Sequence, residues 1–232
     1  MKLKFKDAKE IIKIPNIDDR ENISEEEKKL SSRAEEINTT IESELKTEIV
    51  LALKKTLEKE NLTALSAPAI GYNKRIFVIK FQEEIKTFIN PIIVKYEGLT
   101  LSRETCSSIP NKEFIIPRNT DISIMYQRAN GAIESRQLIG LAAMVFQHEM
   151  QHLDGVLLSD LGLEIDEHWD ELTDDEKNEI ISMYLESLDM TQKALDKEIE
   201  ETPELKETSD AIKFMTSVLT GETKLEGMED TK

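Results

Sequence analysis

Between Leu138 and Gly155 the chain reads LIGLAAMVFQHEMQHLDG, an apolar run that ends in two histidines four residues apart, with a glutamate directly after the first. If this stretch is a helix, His148 and His152 share one face, about 6 Å apart along the axis. An apolar helix has to be buried, and burying two imidazoles and a carboxylate with it is costly unless they serve a shared purpose. The rest of the chain must therefore fold around this segment. Two imidazoles so placed can clasp one divalent metal, with Glu149 in reach of a water activated by it; the chemistry suggested is amide hydrolysis. Gly155 is placed to stop the helix in a left-handed cap. The plainer reading is a core helix with two satisfied histidines.

The remaining composition sets bounds. At 232 residues the chain can hold one sizeable core plus an appendage. The stretch Met1 to Asn16 is charged every few residues, so no secretory leader is expected, and no uncharged run approaches a bilayer span. A single cysteine, Cys106, excludes an intrachain disulfide framework and fits a reducing, cytoplasmic setting. Charge is uneven: residues 164–232 carry 22 acidic and 7 basic side chains, a net of −15 out of the formal −17. Such a tail is not expected to bind nucleic acid or an anionic membrane directly. It suits a protein partner, self-association or a solvated helical face.

Along the chain, residues 1–23 read as an irregular lead-in. Ser24 with Glu27 forms a candidate capping box opening a helical stretch to Glu60, in which Ile41, Leu45, Ile49, Leu53 and Leu57 recur at four-residue intervals; Thr39 and Thr40 leave room for a break. Strand-like runs follow at Arg75–Lys80, Lys86–Val94 (interrupted by Pro91), Phe114–Ile116 and Ile122–Tyr126. Asn130-Gly131 then predicts a hairpin to a return strand at Ala132–Gln137. The expected fold class is α+β: antiparallel strands packed around the central HExxH helix, with an added C-terminal helical segment. We divide the chain at 163/164, a metallohydrolase-like body followed by an acidic helical extension. In the extension, Thr173 and Glu176 form a second capping box. A helix is expected to about Glu200, with Ile180, Met183, Tyr184, Leu188, Ala194 and Leu195 as its apolar stripe, and a further helix over 204–219 after Pro203.

Two histidines need a third ligand. Glu164, Glu167 and Glu171 lie at a distance downstream where some zinc proteases place one, and Cys106 lies upstream in Glu104-Thr105-Cys106-Ser107-Ser108. Here the chain resembles peptide deformylases, whose three motifs run GφGφAAxQ, EGCφS and QHExDHLxG. Gln147–Gly155 matches the third with Gln151 in place of the aspartate. Glu104–Ser108 matches the second with Thr105 in place of glycine, and Leu62–Gly71 (LTALSAPAIG) is a degraded form of the first. The resemblance covers about residues 8–162.

The resemblance implies that Cys106, His148 and His152 bind a metal, Fe(II) foremost, with Zn, Ni or Co as substitutes. Glu149 would move the proton, and the backbone N–H of Ser107 would donate to the formyl oxygen. Ala67, Ala69 and Gly71 of the first motif would face substrate, an N-formylmethionyl peptide or nascent chain. Glu104 and Arg118 would form a supporting ion pair. Ala69 stands where the motif has a glutamine that donates to the formyl oxygen, so reduced turnover is expected. The alternative is a catalytically weak deformylase-fold protein acting as an interaction module. Glu113 stands near a position where many members carry a peptide-holding arginine.

Overall fold

The computed structural model describes residues 8–14 and 24–201. The expected helix over 204–219, its preceding Pro203 and most of the lead-in lie outside these residues. The Ser24–Glu27 capping box forms and opens α1 (Glu25–Leu30). The long helix expected through Glu60 does not form as one piece: α2 is confined to Ser43–Lys59. In between, the Asn38 carboxamide accepts from the backbone N–H groups of Thr40 and Ile41. Ala34 N–H donates to the Leu153 carbonyl and Ile37 N–H to Asn90 Oδ1. Local side-chain bonding and tertiary partners thus replace the helical ladder here. Ile49, Leu53 and Leu57 are buried as the spacing predicts, whereas Ile41 lies outside the helix and is 82% exposed.

Two antiparallel sheets follow. The first has the order β1 (Ala64–Ser66), β2 (Ile76–Phe81), β3 (Glu84–Glu97), β6 (Asp121–Gln127), β7 (Ile133–Ile139); the second has β4 (Thr100–Cys106), β5 (Ile109–Arg118), β8 (Leu163–Ile165). Pro91 does not end β3. The strand absorbs it in an irregularity between Ile89 and Ile92, with Asn90 at φ 45°. Asn130-Gly131 sits in the β6–β7 loop as expected, but that loop spans 128–132 rather than two residues.

The apolar run LIGLAAMVF is divided. Leu138 and Ile139 close β7, Gly140 turns the chain at φ 60°, and α3 runs Leu141–Leu153. This helix packs Ala143, Phe146, Met150 and Leu153 against Phe77, Phe88, Ile122 and Ile124 of the first sheet. The Phe146 ring meets Phe77 and Phe88 edge-on at 4.9 and 5.2 Å. Gly155 N–H donates to the His152 carbonyl and Val156 N–H to that of Gln151, the paired bonds of a Schellman cap. Gly155 sits at φ +73°, and a Cβ there would lie 2.6 Å from the Ser32 backbone, so both conformation and space require glycine.

The extension docks on the second sheet. Strand β8 spans the 163/164 position and pairs with β5; beyond it Trp169 is buried with Ile115 and Ile165. The Thr173–Glu176 box forms and opens α5 (Asp174–Glu201). Ile180 and Ile181 of that helix pack on this cluster, and the Tyr184 hydroxyl donates to the Leu161 carbonyl. Met183, expected in the apolar stripe, is 65% exposed; Ala194 and Leu195 have no described side chains. Among the described residues no helix is long and apolar enough to cross a membrane.

Candidate metal centre

The helical spacing of His148 and His152 brings their rings edge to face, 5.0 Å apart, on α3. Cys106 comes to them from the other sheet. It is the last residue of β4, held by a two-residue turn (Ser107, Ser108) into β5 and a register shift at Thr105/Cys106. Alternation along β4 turns Ser102, Glu104 and Cys106 toward α3 and leaves Leu101, Arg103 and Thr105 outward. Cys106 Sγ lies 3.3 Å from His152 Nε2, and one donor atom from each of Cys106, His148 and His152 lies within 4.8 Å of the others. Tetrahedral ligands at bonds of roughly 2.0–2.3 Å sit roughly 3.5 Å apart, so the three atoms fit one ion.

A buried ionic chain backs the cluster. His148 Nδ1 is 3.0 Å from Glu104 Oε2, and Arg118, 1% exposed, donates to both Glu104 oxygens at 2.8 Å. Burial pushes the Glu104 carboxyl up, yet hydrogen bonds from Arg118 and His148 outweigh it and hold the group well below the usual carboxylate range. An ionised Glu104 only accepts, so Nδ1–H of His148 donates and Nε2 is left free for a metal. Arg118 also donates to Gln151 Oε1 at 2.9 Å, so the residue replacing the motif aspartate still braces α3. Gln147 ties α3 to the Asn119 backbone.

Burial alone would raise the Cys106 thiol, but His152 and His148 hold it well below the ordinary thiol range. His148 is pushed up to about 10, its own burial being outweighed by Cys106 and Glu104. A thiolate beside nitrogen bases is a cluster in which a divalent cation would take the place of a proton. Glu149 is buried, and that burial raises its carboxyl above the ordinary range despite the two imidazoles. Its Oε2 has no protein hydrogen-bond partner.

Glu104, Cys106, His148 and Glu149 line a cleft of about 370 Å³ together with the apolar side chains of Leu62, Leu141, Met144 and Val145. Ser107 lines it as well. Ala67 and Ala69 lie in the hydrophobic core instead, and Gly71, at φ 86°, is partly exposed; none of the three is in the cleft lining. Glu164 pairs with Lys112, and among the described residues the metal-competent cluster contains none of the tail glutamates. Sequence reading overlooked Leu141, Met144 and Arg103 as cleft residues. The first two sit seven and four residues before His148 on the same helix, about two turns and one turn, a spacing that puts them on its face and could have shown them.

Comparison with known proteins agrees with this geometry. The family model described as "Polypeptide deformylase" matches residues 21–165. A peptide deformylase of Dictyoglomus turgidum is 35% identical over 116 residues, covering 50% of this chain and 76% of that one. One of Thermotoga maritima is 37% identical over 116 residues, covering 47% and 71%. Among solved structures, the Thermotoga maritima peptide deformylase aligns with a TM-score of 0.56 at 30% identity, covering 65% of this chain and 97% of that one. A Synechococcus elongatus peptide deformylase in complex with actinonin aligns with a TM-score of 0.59 at 27% identity, covering 68% and 80%. With its metal-competent triad shared between an HExxH helix and the end of β4, and a family match over more than half its length, the chain belongs to the peptide deformylase family.

Proposed function

We propose that this metal-dependent deformylase removes the formyl group from N-formylmethionyl peptides, with Cys106, His148 and His152 holding the metal and Glu149 moving the proton. A divalent ion bound there supplies Lewis acidity, activating water and polarising the formyl carbonyl. Glu149 takes a proton from the attacking water and returns it to the amide nitrogen as the C–N bond breaks, giving formate and a free amine. Its raised affinity for a proton suits both halves of that task. The Ser107 backbone N–H donates to the formyl oxygen, and the apolar wall of Leu62, Leu141, Met144 and Val145 receives the methionine side chain. Ala69 has only a methyl where the motif has an amide donor, so turnover is lower than with glutamine.

The observation that carries this reading is the meeting of the chain's one cysteine with both HExxH imidazoles. A Cys-His-His set accepts Fe(II), Zn, Ni and Co, and we assign Fe(II) as the resident ion in a cytoplasmic protein. A binding-only role is not favoured by the family and fold. The acidic extension suits a protein partner or self-association and not RNA. The test is metal analysis of anaerobically purified protein together with formate release from formyl-Met-Ala-Ser. About one metal per chain and formate release that E149Q abolishes are expected; metal retained in C106A would overturn the ligand assignment.

A further inference from the structure

Ser66 occupies a position where the first motif has an alanine, and the site described so far makes no use of it. It closes β1, three residues before Ala69. Strand alternation puts it on the same face as Ala64, which lines the cleft and packs with the α3 side of the core, while Leu65 turns into the other core cluster. Ser66 is fully buried, and its Oγ has no protein hydrogen-bond partner. Glu149 Oε2, also buried, has none either. Strand β1 packs against α3, so the face of the strand that carries Ser66 meets the helix that carries Glu149. Burial raises that carboxyl and the serine hydroxyl acts on it in the opposite direction. Two unpartnered polar atoms on facing elements of a core are costly, and a hydroxyl can turn about one bond to reach an acceptor.

We propose that Ser66 is a positioning residue for Glu149: its Oγ–H donates to Oε2 and holds the carboxylate in the orientation that faces the attacking water, leaving Oε1 to carry the proton. The inference rests on the deformylase reading. Being fully buried and outside the cleft lining, Ser66 acts through Glu149 and does not touch the peptide. It also lies outside the metal ligand set. An alanine at this position leaves Glu149 free to rotate in its pocket, which slows the proton transfer without weakening metal or substrate binding.

The experiment compares wild type with S66A, the residue of the motif itself, so that folding is not at issue. Formate release is followed against formyl-Met-Ala-Ser concentration, alongside bound metal and melting temperature. The expected result is a kcat lower by roughly tenfold, the scale of one hydrogen bond to an ionised group, with KM and metal content unchanged. Melting temperature should fall by no more than about 4 °C, the scale of one lost hydrogen bond in a chain of this size. An unchanged kcat in S66A overturns the Ser66 role while leaving the deformylase reading intact. So does a kcat loss matched by lost metal or by a larger fall in melting temperature, which marks a packing role. Absence of formate release from metal-loaded wild type sinks both.

Discussion

Strand β4 carries an arginine–carboxylate cluster on each face, and the two differ in almost everything but chemistry. Inward, Glu104 meets Arg118, which is 1% exposed, and passes the contact on to His148. Outward, Arg103 pairs with Glu113 at 2.6 Å and Asp170 at 2.7 Å, yet all three are at least 36% exposed. The outer cluster is as short and as well aligned as the inner one. What separates them is water: solvent already satisfies the outer charges, whereas the inner ones have only each other. Geometry alone is a poor guide to what an ion pair contributes. Burial decides it, and here burial follows the alternation of one strand.

The comparison can be broken at several points, in decreasing order of effect. C106A, the next inward residue of β4, should abolish metal binding and formate release; metal analysis after dialysis checks this. R118A leaves Glu104 buried and unpaired and should cost about 3–5 kcal/mol of stability, read from denaturant unfolding. E104Q keeps the shape but weakens the acceptor for His148 Nδ1–H, and should lower metal affinity by about 10- to 100-fold in a competition titration. R103A should leave melting temperature and metal content unchanged. If R103A matched R118A, the distinction between the faces would fail. Acid sharpens the same contrast. The Glu104 carboxyl is depressed in the folded state, so its contribution is complete above the unfolded carboxylate value and is lost only as pH falls toward the folded one. The melting-temperature gap between wild type and E104Q should therefore hold constant from about pH 7 to about pH 5.

The same strand shows why some of the molecule was legible in the sequence and some was not. His148, Glu149, His152 and Cys106 stand out because their types and spacings are rare and chemically demanding. Strand β4 itself escaped notice because its inner face is Ser102, Glu104 and Cys106 while Leu101 faces outward, the reverse of an ordinary buried strand. The division of LIGLAAMVF between strand and helix was hidden too, since Leu138 of one half and Ala143 and Phe146 of the other enter one core and an apolar run has no period to separate them. The overlong first helix failed at Asn38, where one carboxamide and two long-range backbone bonds outweighed a regular apolar repeat. Ser66 was visible as a departure from a motif, but its place beside Glu149 depends on which way β1 faces, and that needs the packed fold.

The hydroxyl of Tyr184, well beyond the stretch shared with the family, donates to the Leu161 carbonyl at the end of the short helix α4 (Leu158–Leu161). Anyone trimming this chain to the length of its relatives would strip Trp169 from Ile115 and Ile165 and uncover a greasy patch on the back of the sheet that carries Cys106. The first turns of α5 are thus a lid on the enzyme's underside, and a shortened version should clump before it loses its chemistry.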